Sequence, residues 1–178
     1  GKESGILNLA LESKDAGKAV KILNTIAEFY VRQNVQRTSA EAAQSLDFLR
    51  EKLPEIKKDL EKAGSALNQY QTRNRSVDIT LETKAILDQV VNLDTNISNL
   101  KLQQAEMDRK FTPAHPAYRA LLSQISELTD KQATLEKKVI SLPSTQQELL
   151  SLTRDVEVGT EVYTQLLNKS QELDVMRA

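Results

Sequence analysis

The residues of this 178-residue chain that could do chemistry are few and scattered. His115 is the single histidine. A zinc site needs companions at ligand spacing, and the sequence has none for it, so His115 beside Pro116 reads as a turn residue. There is no cysteine, which removes disulfides, thiolate zinc ligands and a cysteine nucleophile. Glu51, Glu55, Asp59 and Glu61 are interleaved with Lys52, Lys57, Lys58 and Lys62. That pattern is a salt-bridge-laced helix face, not the isolated carboxylate pair of acid–base catalysis. No phosphate-cradling loop of the form GxxxxGK followed by Ser or Thr occurs. Tyr30, Tyr70, Tyr118 and Tyr163 fall on or near apolar stripes, where a ring packs and its hydroxyl stays wet. One charged cluster, Arg154, Asp155 and Glu157, has the density of a site. Its chemistry suits ion pairs between helices or at a subunit contact. No catalytic, cofactor-binding or metal-ligating residue is assigned.

Ladders of apolar residues spaced three and four apart must position these groups, the signature of helices packed on helices. The clearest follows Pro143: Leu149, Leu152, Val156, Gly159, Tyr163, Leu166, Ser170 and Leu173. Ser144 and Gln147 have capping-box spacing at its start. A second ladder runs from Leu46 through Leu49, Leu53, Ile56, Leu60, Ala63 and Leu67 to Tyr70. It keeps phase across Pro54, which predicts one helix bent there rather than two. A third runs from Ile79 to Phe111, and Pro113 and Pro116 end it. A fourth carries Tyr118, Leu121, Ile125, Leu128, Gln132, Leu135, Val139 and Leu142. Short turns predict antiparallel neighbours. Around Thr112–Pro116 the natural register sets Met107 beside Leu121, Leu100 beside Leu128 and Leu93 beside Leu135. The last ladder is expected on the helix that ends at Leu142. Gln104, Gln132, Gly159 and Ser170 interrupt the seams, as residues that set register do.

The opening differs. Leu7, Leu9 and Leu11 alternate with Asn8, Ala10 and Glu12, the period of a half-buried strand. A lone strand is not stable, so its partners are expected outside the chain or in another copy. A helix capped by Ser13 or Asp15 follows, with Val20, Leu23, Ala27 and Tyr30 flanked by Ile22, Ile26 and Phe29. So wide a stripe suits packing on a sheet. The expected fold is mainly α: about four long, antiparallel, coiled-coil-like helices in up-and-down order, with one N-terminal strand. Residues 1–38 read as the edge of an α/β region, and residues 39–178 as an extended bundle of coiled-coil hairpins.

Charged residues make up 28% of the chain and aromatics 4%, which fits long helices with narrow seams better than a bulky core. Net charge is −1 with the signs mixed, so no basic stripe marks a nucleic-acid partner. No apolar run approaches the ~20 residues of a membrane span. The chain reads as a soluble piece of something longer.

Several phrases carry a family resemblance: His115-Pro116-Ala117-Tyr118-Arg119, Thr145-Gln146-Gln147-Glu148-Leu149, Leu152-Thr153-Arg154-Asp155-Val156-Glu157 and Val162-Tyr163-Thr164-Gln165-Leu166-Leu167-Asn168-Lys169. Phe48-Leu49-Arg50-Glu51-Lys52-Leu53-Pro54-Glu55 and Ser76-Val77-Asp78 fit as well. With these the chain resembles the periplasmic domain of the Wzc-type bacterial tyrosine autokinases, inner-membrane co-polymerases of capsule and exopolysaccharide export. The resemblance implies that the α/β region is membrane-proximal. It implies a non-catalytic periplasmic module, without cofactor, that governs polysaccharide chain length and export by assembling into octameric rings. An outer-membrane exporter and the polymerase are the implied partners. The family's kinase motifs have no counterpart in this sequence. A competing reading is the helical hairpin of an export-pump adaptor, which needs lipoyl-like β segments on both sides.

Overall fold

The computed structural model describes residues 8–12, 14–110 and 114–177. The ladders become four helices: α1 (Ala16–Arg73), α2 (Leu81–Met107), α3 (Pro116–Ile140) and α4 (Ser144–Arg177). Their starts follow local chemistry. Asp15 caps α1, its carboxylate accepting from the backbone N–H groups of Gly17 and Lys18 at 3.0 and 3.2 Å. Thr80 caps α2 through its hydroxyl on the Thr83 N–H. His115 caps α3, its Nδ1 accepting from the Ala117 N–H at 3.1 Å, and Pro116 occupies the first turn. The expected capping box at Ser144 does not form. Gln147 Nε2 instead donates to the Ile140 and Leu142 carbonyls at 3.0 and 2.7 Å. The end of α3 lies so close that its orphan carbonyls capture the amide first.

The expected N-terminal strand is not seen among the described residues. Residues 8–12 carry no regular structure and are exposed, while residues 5–7 lie outside the described residues. A strand requires an edge to pair with, and the described residues contain no other strand. Helix α1 is 58 residues long and runs without interruption through both Pro54 and residue 38. At 1.5 Å per residue it is roughly 87 Å from end to end. Its two parts differ in burial. From Ala42 onward it contributes Ala42, Leu46, Phe48, Leu49 and Tyr70 to the interior. Before residue 38 its apolar stripe is open, with Phe29 and Val35 still 59% and 60% exposed.

The helices lie side by side in the spatial order α3, α2, α4, α1, since α4 packs on α1 and α2, and α2 also packs on α3. Helix α4 runs antiparallel to α1, with Asp174 near Arg50 and the Thr145 carbonyl accepting from the Tyr70 hydroxyl. It runs parallel to α2, as Gln146 meets Thr80 and Gln165 meets Asn99. The spacing predicts α4 on α3; the structure places it on α1 and α2 instead. A heptad ladder defines a seam but not the helix that fills it. In the α2–α3 hairpin the expected Leu93–Leu135 neighbourhood is present. Gln132 Nε2 donates to Asp94 Oδ1 at 2.8 Å, and Leu93 and Leu135 border one small cavity.

Two apolar clusters hold the four helices. Ala42, Leu46, Phe48 and Leu49 of α1 enclose Leu173 of α4. Ile86, Leu87 and Val90 of α2 enclose Leu142 and Leu150. Leu150 is completely buried, so Leu150→Ala leaves a cavity and costs about 2–5 kcal/mol. Ile26 lies on the open part of α1 at 45% exposure, so Ile26→Ser shifts stability of the chain by no more than about 0.5 kcal/mol. Urea unfolding of the two variants measures both, and a large loss in Ile26→Ser would place residues 16–38 inside the cooperative core.

Candidate functional site

The features that stand out lie where α1, α2 and α4 face one another. Between α1 and α2, over α4, lies an open groove of about 880 Å³. Ile56, Leu60 and Ala63 of α1, Ile97 and Leu102 of α2, and Val158 and Val162 of α4 line its apolar part. Asp59, Lys62, Asp94, Lys101, Arg154 and Asp155 carry its charge. The floor is narrowed at Gly159. A Cβ there would stand 3.1 Å from Leu60 Cδ1, so the glycine lets α1 and α4 approach closely. The glycine that interrupts the α4 ladder is thus a close-approach position, and that interruption was the signal for it.

The charged cluster singled out from sequence is on this surface, and its three members do different things. Arg154 is a junction. Its Nε lies 3.8 Å from Asp94 Oδ2 on α2, and its Nη2 donates to Asp155 Oδ1 at 3.1 Å and to Ser151 Oγ at 3.3 Å. Asp94 also accepts from Gln132, so one carboxylate ties α3, α2 and α4 together. Asp155 is exposed at the groove edge. Glu157 approaches Lys84 of α2 at 4.0 Å, and Lys84 pairs with Asp88 at 3.0 Å. The Asp88 hydrogen bond, then the Glu157 charge, hold the Lys84 ammonium above its ordinary pKa.

A second charged assembly joins the far end of α2 to α1. Arg109 Nη2 donates to Glu51 Oε2 at 2.7 Å, and its guanidinium lies over the Phe48 ring, 4.8 Å from the centroid. Lys52 approaches the same ring at 5.8 Å, and Ser45 donates to Glu106. The Arg109 hydrogen bond and charge hold the Glu51 carboxyl below its ordinary pKa. Sequence spacing assigns Glu51 only to a solvated face. Its partner is 58 residues away, and no local pattern announces such a pair.

The chemistry of this surface is that of contact and positioning. Among the described residues no group of three His, Cys, Asp or Glu could hold a metal ion, and no helix is long and apolar enough to cross a membrane. Tyr70 and Tyr118 are buried, with hydroxyls on the Thr145 carbonyl and the Gln104 amide, so they act in packing.

Comparison with known proteins gives the chain a set of relatives. Residues 144–178 match the family described as the G-rich domain on putative tyrosine kinase. The chain is 44% identical over 177 residues to the tyrosine-protein kinase etk of Escherichia coli strain K12, which covers 99% of this chain and 24% of that protein. It is 45% identical over 178 residues to the tyrosine-protein kinase wzc of Salmonella typhimurium, covering all of this chain and 25% of that protein. A putative tyrosine-protein kinase in the cps region of Klebsiella pneumoniae is 42% identical over the same span, again 25% of its length. The chain therefore spans about a quarter of the relatives it matches.

A titration isolates the Arg109–Glu51 pair. A carboxyl whose folded pKa is depressed stabilises above its unfolded value and loses that contribution as pH falls through the folded one. The stability difference between the unaltered chain and Glu51→Gln is therefore greatest near neutral pH. It shrinks as pH falls from about 5 to about 3, and salt reduces it because the pair is exposed. Urea unfolding across that range checks this, and a pH-independent difference would show that Glu51 acts by packing alone.

Proposed function

This chain belongs, as a segment of about a quarter of their length, with the Wzc- and Etk-type tyrosine-protein kinases, and from that premise we propose that it is their non-catalytic periplasmic assembly module. In this reading it is part of an inner-membrane polysaccharide co-polymerase. Copies pack around an axis, and the ring controls the chain length and export of capsular or exopolysaccharide with an outer-membrane exporter and the polymerase.

The observation that carries the proposal is likeness along the entire chain, 42–45% identical in the relatives named above, rather than at an isolated motif. Two structural features support it. The charged surface groups make ion pairs and leave an apolar groove, which suits contact between macromolecules. The open apolar stripe of α1 before residue 38 suits a helix that is completed by strands beyond this chain. Residues 1–38 are accordingly assigned to a membrane-proximal α/β region and residues 39–178 to the helical bundle, joined by the uninterrupted α1. The adaptor-hairpin alternative has less support, because the relatives named above are tyrosine-protein kinases or putative ones.

Arg154, Asp155 and Glu157 remain the proposed contact residues, and Asp155 is the cleanest probe, being exposed while Arg154 also holds α2. In the full-length kinase, Asp155→Ala is expected to reduce the ring fraction and exported polysaccharide severalfold and to leave tyrosine autophosphorylation unchanged. Mass photometry, polysaccharide assay and phosphotyrosine blotting read the three quantities. Rings and export at the unaltered level would remove Asp155 from the contact. A 178-residue chain that sediments as a tight coiled-coil dimer would count against the ring reading itself.

A further inference from the structure

The buried polar side chains of this protein are not spread evenly. Thr83, Thr95 and Gln146 are the buried polar residues among those described, and all three lie on α2 or α4. The α1–α4 seam, by contrast, buries Ala42, Leu46, Phe48, Leu49 and Leu173. Along α2 the seam changes character in order. Ile86, Leu87 and Val90 form the apolar cluster nearest the turns. Next come Asp94 on Arg154, then Thr95, the buried Ile97, and Asn99 on Gln165. Thr95 Oγ1 and Asn99 Oδ1 are both buried without a hydrogen-bond partner. At the far end, Arg109 closes onto Phe48 and Glu51.

We propose that the α2–α3 hairpin is a hinged arm that opens away from the α1–α4 pair, pivoting about residues 74–80 and 141–143 and held shut at its far end by Arg109. Both connecting segments lie at the same end of the bundle, between α1 and α2 and between α3 and α4. That end is anchored. Gln146 donates to the Asp78 carbonyl at 2.8 Å and accepts from the Thr80 N–H at 3.1 Å, and the apolar cluster sits beside it. The opposite end is held by an ion pair and a cation over a ring, contacts that form and break readily, with the Ser45–Glu106 hydrogen bond and the small Ala105 beside them. Between them, opening exposes Ile97 together with polar groups that water satisfies. It relieves two orphaned atoms, whereas parting an apolar seam would cost the full burial of its leucines. The groove between α1 and α2 leaves the middle of the arm without a wall on that side, and at its far end only Ala105 withdraws from the α1–α4 cluster as the arm opens. Opening widens the groove and bares the Thr95–Asn99 face, which changes the surface offered to a neighbouring molecule.

Because the chain has no cysteine, spin labels report this directly. Labels at Lys62→Cys and Lys101→Cys span the groove, and labels at Lys58→Cys and Glu161→Cys span the α1–α4 pair; all four positions are exposed. Double electron–electron resonance on the 178-residue chain is expected to show a main short distance and a minor longer one across the groove, with a single distance across α1–α4. Arg109→Ala raises the longer component at least threefold. The combination Thr95→Val with Asn99→Leu, which dries the seam, lowers it at least threefold. A single groove distance that neither change alters would overturn the hinge. So would lengthening of both label pairs together in Arg109→Ala, which reports loss of the whole fold. Arg109 is an exposed residue, so its substitution keeps the test open even if the seam variant fails to fold.

Discussion

Helix α4 is the constraint on which the rest of the arrangement depends, because one helix serves two partners. It lies antiparallel to α1 and parallel to α2, and it has to bury residues on both sides. Leu173 faces the α1 cluster and Leu150 the α2 cluster. The approach of α1 is as close as it is because Gly159 has no Cβ to meet Leu60. A helix used on two sides cannot also present the strongly one-sided pattern of an outer helix. Helix α3, which packs mainly on α2, buries only Tyr118 and Leu121 over its 25 residues. The hierarchy of burial thus follows from topology: a central helix, two helices on its flanks, and one outer helix held mainly by one neighbour.

The two flanks of α4 are built from different chemistry, and the magnitudes differ accordingly. A buried leucine contributes roughly 1.5–3 kcal/mol, while an exposed ion pair contributes about 0–1 kcal/mol. The α1 side relies mainly on the first kind. The α2 side relies on the first kind near the turns and on the second kind, with amide contacts, further out. Asp94 illustrates what the polar side gains. Its carboxylate is bound by Arg154 of α4 and Gln132 of α3, so it fixes the relative rotation of three helices at once. Such a group adds little net stability and much specificity of register.

The helices themselves were legible because period is a local property. Asp15, His115 and Pro116 mark starts that the structure retains, and the α2–α3 register follows from a short turn joining two ladders. What was not legible is any choice among distant partners. The ladder of α4 specifies a seam, and α1, α2 and α3 all carry ladders able to meet it. The contacts that go with α1 and α2 are Gly159 against Leu60 and Gln146 on the backbone at residues 78 and 80. The alternating residues before Ser13 fail for the related reason that period two describes half of a sheet and residues 8–12 have no other half among the described residues. For the candidate site, Arg154, Asp155 and Glu157 are visible as charges, but only folding separates the junction residue Arg154 from the exposed Asp155.

Continuity of α1 is what connects these local arguments to the molecule as a whole. The helix crosses from an open apolar stripe into a packed seam without a break at residue 38, and it passes Pro54 as well. A helix that crosses such a boundary transmits rotation and tilt rather than absorbing them, since its backbone hydrogen bonds resist bending away from proline or glycine. Whatever covers Phe29, Val31 and Val35 therefore sets the direction in which Leu46, Phe48 and Leu49 are presented to α4. Phe48 is also the ring on which Arg109 closes. The orientation of the exposed segment is thus coupled, through one stiff helix, to the residue that holds the outer hairpin in place.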